Sequence, residues 1–217
     1  MAMRLSMFLL IIGLQAAGWS HATTPSARDM VMQAGDRLVL ALQDQREAVQ
    51  RDMDVAFQLA ERTVIPLIDF ERITRWVSGR HWRDATPEQQ QRLVRSFQEL
   101  LTRSYVTAMV TYVDQILANA NNVEYPPARS RQDERNAVVT MLIKLENNQT
   151  AVVQYQMYHG ADGWKIFDVI VEGVSLAITY RSSFNQEVSR GGIEGLIASL
   201  DARNQANEAP PLPDIAP

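Results

Sequence analysis

Residues 164–171 are apolar on both alternate faces of a strand. Trp164, Ile166 and Ile170 lie on one face, and Phe167, Val169 and Val171 on the other. A strand of this kind must be covered on both sides, so it belongs in the middle of a sheet. Asp162-Gly163 in front of it suits a hairpin turn. Gly173 ends it, Ser175 can cap a helix, and residues 176–188 read as that helix. Two charges interrupt this apolar stretch, Asp168 inside the strand and Arg181 within the helix.

The segments before it supply its neighbours. Residues 26–45 carry Met30, Ala34, Leu38 and Leu42 at four-residue spacing and read as a helix; residues 43–52 are polar and read as its solvated end and a turn. A second helix holds Val55, Leu59 and Ala60 and is stopped or kinked by Pro66. Residues 70–78 form a third, with Gly79 as its stop. Thr86-Pro87-Glu88-Gln89 opens a helix expected to run to about residue 118 and to lie across the sheet. From residue 123 the period changes. Residues 123–125, 137–145 and 151–158 are expected strands, separated by a charged loop at 129–135 and a turn at Asn147-Asn148. Gly191-Gly192 sets off a short last helix. Helices first and successive hairpins later predict an α+β domain with an antiparallel sheet of about four strands.

The two ends differ from this body. Residues 1–22 have a cation at Arg4, an apolar run over 5–14 and small residues at Ser20 and Ala22, the pattern of a cleaved secretory signal. The run is too short to span a hydrocarbon core of ~30 Å. Residues 23–206 are then one domain, and residues 207–217, rich in proline and polar groups, a disordered tail. The chain has no cysteine, so an exported form relies on its core without disulfides. With 21 basic against 25 acidic residues it is a poor match for nucleic acid or for an anionic bilayer.

Chemistry is sparse. No nucleophile motif, phosphate loop or dinucleotide fingerprint is present, and His81 and His159 stand apart without a second ligand at metal spacing. No cofactor and no metal is expected. Asp168, Glu172, Ser175 and Arg181 are the one polar constellation near the apolar strand. Asp168 could be the base of a small isomerase or hydrolase. The favoured reading pairs it structurally with Arg181, because a buried carboxylate needs a partner.

Two blocks carry a resemblance. One is Asp162-Gly-Trp-Lys-Ile-Phe-Asp-Val-Ile-Val-Glu-Gly-Val-Ser-Leu176 with Tyr180-Arg-Ser-Ser-Phe184. The other runs from Ile65-Pro66 through Asp69-Phe-Glu-Arg72, Gly79-Arg-His-Trp-Arg83 and Ala85-Thr-Pro-Glu-Gln89 to residues 97–105. Together they resemble the toluene-tolerance family of periplasmic phospholipid-binding proteins. Ser78 departs from it, standing where the family usually has an aliphatic residue. The resemblance implies a curved, nuclear-transport-factor-like sheet whose helices enclose an apolar cavity. It implies a monomeric periplasmic carrier with phospholipid as cargo, serving outer-membrane lipid asymmetry. Its partners would be an inner-membrane ABC transporter complex with a substrate-binding ring, and an outer-membrane lipoprotein–porin complex. The expected cavity wall is Phe70, Ile73, Phe97, Leu101 and Tyr105 from helices, with Val139, Met141, Ile143, Val153, Tyr155, Met157, Phe167 and Val169 from strands. The strand choices rest on strict alternation, which a single bulge would invert.

Overall fold

The structure is a computed structural model, and it describes residues 25–127, 135–145 and 149–206. The expected signal, most of the charged loop, the Asn147-Asn148 turn and the tail lie outside the described residues.

Side-chain caps start most of the helices. Ser26 and Asp29 cap α1 (Ala27–Arg51) reciprocally, each side chain taking the other's amide. The helix is longer than expected: Gln45 leaves helical dihedrals (φ −115°, ψ 16°), yet the polar residues after it stay helical to Arg51. Asp52 caps α2 (Met53–Thr63), and Pro66 sits in the 3-10 turn Ile65–Leu67 that ends it. Asp69 accepts from the Arg72 amide at 2.8 Å to start α3 (Phe70–Ser78). Gly79 closes α3 with φ 54°, a conformation that suits glycine. The short α4 (His81–Asp84) comes next. Thr86 and Gln89 form the expected reciprocal cap of α5 (Pro87–Thr111). That helix stops at Tyr112 (φ −106°, ψ 17°) and restarts as α6 (Val113–Asn119), so it falls short of residue 118.

Among the described residues, five strands follow α6, in the order β1 (Val123–Glu124), β2 (Asn136–Lys144), β3 (Thr150–Gly160), β4 (Gly163–Val171) and β5 (Val174–Ser175), each antiparallel to its neighbour. β5 exceeds the expected number. It is two residues long, and the tight turn at Glu172 (φ 50°) and Gly173 (φ 81°) folds it back on β4. The last helix, α7 (Leu176–Ala206), runs through Gly191. Gly192 (φ 66°, ψ −168°) breaks its dihedrals, so the expected short last helix is set off by a kink at that glycine.

Three buried clusters form the interior. One joins α3, α5 and α7 through Phe70, Val77, Leu93, Phe97, Phe184 and Ile197. A second joins α1, α2, α5 and α6 through Leu42, Val49, Leu59, Val106 and Val113. The third sets Ala27 and Val31 of α1 against Ala137, Val139, Met157 and Ile166 of the sheet. α5 packs mainly on α7, α2 and α3, whereas α1, α3 and α7 meet the sheet. The expectation that the longest early helix lies across the sheet is therefore corrected: α1 takes that place.

Candidate functional site

Residues paired directly across antiparallel strands project to the same side. Val139 pairs with Tyr155, Met141 with Val153 and Ile143 with Ala151. On the other flank of β3, Tyr155 pairs with Val169, Val153 with Val171 and Met157 with Ile166. Seven of the eight expected strand residues thus share one face, the face that α1 covers at its Ala137 end. Phe167 does not share it. The register shifts between Gln156 and Met157, and Phe167 is the extra residue on β4. Its ring lies with Tyr158 on the opposite face, centroids 6.2 Å apart, and the Arg72 guanidinium caps both rings at 4.1 and 4.9 Å. Strict alternation could not foresee the bulge, and Phe167 is removed from the expected wall.

Packing is uneven along that inner face. Val139 and Met157 are buried, and Tyr155 and Val169 pack beside them. Met141, Ile143 and Val153 join none of the three clusters and keep accessible surface. In β3, a central strand of eleven residues, Met157 alone is buried. Tyr155 projects among these side chains, and the hydrogen bond it donates goes to the Met141 thioether at 3.8 Å. Burial pushes its phenol far above the ordinary range, with nearby Tyr125 adding to the rise. Val171 and Trp164 also belong to this face and were missed. Val171 follows from Val169 by simple alternation, whereas Trp164 lies beyond the bulge and changes face because of it.

The helical candidates separate into two groups. Phe70, Ile73, Phe97 and Leu101 belong to the α3–α5–α7 cluster. Phe97 is fully buried, edge-on to Tyr180 and Phe184 at 4.9 Å each. Phe97 and Leu101 fill helix–helix contacts of α5, which leans mainly on other helices, and leave the expected wall; Phe70 and Ile73 pack into the same cluster from α3, which also meets the sheet. Tyr105 differs. It keeps 36% of its surface, while burial of its hydroxyl end pushes the phenol up to about 12, with the Asp168 charge contributing.

Asp168 is 3% exposed and fully engaged. It accepts from the Ser175 hydroxyl at 2.7 Å and from the Ala177 amide at 3.2 Å, at the first turn of α7. Ser175 in turn accepts from the Ile178 amide at 3.1 Å, the expected cap. The Asp168–Arg181 pair is not formed. Ala177, Tyr180 and Phe184 point inward, so helical phase turns Arg181 outward, where it is exposed beside Gly79. Glu172 staples β3 instead, accepting from the Val152 amide. A carboxylate with both oxygens occupied at a helix N-terminus is a structural anion and offers no accessible base.

Two surface clefts are outlined by the described residues. One, about 380 Å³, lies between Asp69, Glu71, Gln98, Tyr158 and Lys165 and includes Phe70. The other, about 400 Å³, lies between Trp82, Pro87, Gln90 and Arg95. Neither contains the inner-face residues. Among the described residues no group of three or more acidic or histidine side chains is placed to hold a metal ion, and no helix is long and apolar enough to cross a membrane.

Comparison with known proteins places this geometry. The profile of the family described as "MlaC protein" matches residues 32–202. The toluene tolerance protein ttg2D of Pseudomonas putida is 26% identical over 88% of this chain and 87% of its own. The intermembrane phospholipid transport system binding protein MlaC of Haemophilus influenzae is 19% identical over 79% of this chain and 78% of its own. A phospholipid-binding protein from Ralstonia solanacearum, solved in complex with a phospholipid, superposes with a TM-score of 0.70 at 31% identity, over 84% of this chain and 99% of that one.

Proposed function

This chain belongs to the MlaC family, and on that premise we propose that it is a carrier of phospholipid whose acyl chains lie against the inner face of the sheet. The observation that carries this reading is the group Met141, Ile143 and Val153: apolar side chains on the covered side of a central sheet that no buried cluster takes up. Apolar surface left unpacked weakens a fold unless something covers it. Tyr155 borders that surface with a phenol withdrawn from water, which can donate to an ester carbonyl.

Magnitudes fix how such a carrier must work. Each methylene moved out of water is worth roughly 0.8 kcal/mol, so two tails of ~30 methylenes in total amount to ~24 kcal/mol. Both tails must therefore be covered almost completely, and release requires a partner that receives them directly. The head group can stay in solvent. In this reading residues 1–22 direct export, residues 23–206 form the monomeric carrier in the periplasm and 207–217 trail from it. It exchanges lipid with an inner-membrane ABC transporter complex bearing a substrate-binding ring and with an outer-membrane lipoprotein–porin complex, and so maintains outer-membrane lipid asymmetry.

Organic extraction of the purified protein followed by mass spectrometry tests the reading. Co-purified phospholipid near one molecule per chain is expected. Protein that is folded and free of lipid, and that takes none up from phospholipid micelles, would overturn it.

A further inference from the structure

The residues from Arg72 to Arg83 hold four arginines and no carboxylate, within a chain that has more acidic than basic residues. Folding keeps this charge together. Arg75, Arg80 and Arg83 are exposed along α3 and α4, and Trp76 keeps 37% of its surface among them. α7 packs alongside and adds to the same face. The Arg181 guanidinium lies so close to Gly79 that a Cβ there would sit 3.2 Å from its Nη2. One turn further on, Asn185 meets the His81 ring at 3.0 Å. One turn before Arg181, Ile178 is 59% exposed.

Six other cations among the described residues, Arg46, Arg51, Arg92, Arg103, Lys144 and Arg190, form ion pairs, and Arg37, Arg62 and Arg95, which form none, stand singly on three different helices. Among the described residues, no ion pair or hydrogen bond engages the side chains of Arg75, Arg80, Arg83 or Arg181. Glu71 and Asp84 flank the run without closing on it.

We propose that this face of α3, α4 and the start of α7 is a docking surface for an acidic patch on a partner protein. Three features select a protein over a bilayer. The cations are all arginine, whose planar fork matches carboxylates in pairs. They sit on helices tied together at Gly79 and His81, a fixed geometry that a fluid lipid surface does not require. They surround a half-exposed tryptophan and an isoleucine, the arginine–aromatic composition that concentrates binding energy at protein interfaces. The face is remote from Met141 and Val153 in the chain and lies on other elements, so docking and lipid holding can be separated by mutation. The proposal rests on the carrier reading for its purpose, since a carrier that cannot release its tails into water must dock.

The test uses the lipid-loaded full chain and its Arg75→Glu/Arg181→Glu variant, both sites being exposed. The probes are the purified substrate-binding ring and the purified outer-membrane lipoprotein complex from the same cells. The variant is expected to bind at least one of them about tenfold or more weakly, mainly through slower association, and with less dependence on salt. Its melting temperature and its phospholipid content per chain should match the wild type. Unchanged affinity for both probes overturns the proposal, as does wild-type protein that binds neither. Sedimentation with phosphatidylglycerol vesicles that the variant alone loses, while protein binding persists, overturns it in favour of an anionic bilayer. Weakened docking in a protein that carries no phospholipid would instead sink the carrier reading and leave the surface standing.

Discussion

At the scale of single residues, the buried polar groups account for more than the apolar ones. Asp168 ties β4, β5 and α7 together through Ser175 and the Ala177 amide. Replacing it with alanine removes two hydrogen bonds to a charged acceptor, so Asp168→Ala is expected to cost about 2–4 kcal/mol in urea unfolding. Arg181→Ala should stay within about 0.5 kcal/mol of wild type; an equal loss in both variants would restore the ion pair that sequence suggested. The sequence held the correction already, because the spacing of Ala177, Tyr180 and Phe184 fixes which side of α7 is inward. Ser78 is 1% exposed, and its hydroxyl finds no partner among the described residues. Ser78→Ala is expected to raise stability by about 1 kcal/mol, since an unpaired buried hydroxyl is itself a cost. The tyrosines give a pH signature. Tyr105, Tyr155 and Tyr180 all titrate above their ordinary value, each chiefly through burial. A phenol raised on folding stabilises fully below its unfolded value near 10 and loses that contribution as pH climbs through the folded value. Stability should therefore fall between about pH 10 and 12. Absorbance of the folded protein at alkaline pH should show these three phenols ionising late; a single step near the ordinary value would contradict their burial.

At the scale of elements, local signals were legible wherever one residue type does one job. Gly79 stops α3, Thr86 with Gln89 starts α5, and Ser175 caps α7, all as their sequence implies. The failures share a cause: they depend on what lies across from the element. Tyr112 is no breaker by composition, yet α5 ends there. The Glu172-Gly173 turn makes a strand of two residues because β4 is beside it to pair with. The bulge that displaces Phe167 exists only in the register between β3 and β4. Likewise the apolar stripe of α5 was readable, but not which neighbour it meets. Its Phe97 is clasped edge-on by Tyr180 and Phe184 of α7. Phe97→Ala is thus expected to cost about 3–5 kcal/mol, as for a large ring lost from a closed core. Phospholipid content per folded chain should hardly change. Lost lipid at unchanged stability would return Phe97 to the wall of the binding site.

At the scale of the whole molecule, the interior is divided. Three clusters hold most of the buried apolar residues among those described, and the far end of the sheet's inner face contributes to none of them. The excess of apolar residues over what one layer of contacts consumes was visible in the sequence. Its location was only half visible: strand parity put Met141, Ile143 and Val153 on one face, as the register has them, and helix periodicity could not tell Phe97, which is packed, from Tyr105, which keeps 36% of its surface. Met141→Trp and Val153→Trp probe the difference. The two residues pair directly across β2 and β3, so each indole would project from the same spot of the inner face. In a filled core an added ring forces side chains off their rotamers and costs about 1–3 kcal/mol. On a face that awaits a ligand, the ring occupies volume meant for an acyl chain. The lipid-free variants should then unfold at the wild-type urea midpoint, while phospholipid recovered per chain falls. Tyr155 gives the control, because Tyr155→Phe removes a hydroxyl without adding bulk and should lower lipid content less than either tryptophan. Destabilised tryptophan variants that still hold a full complement of lipid would place the acyl chains somewhere other than this face.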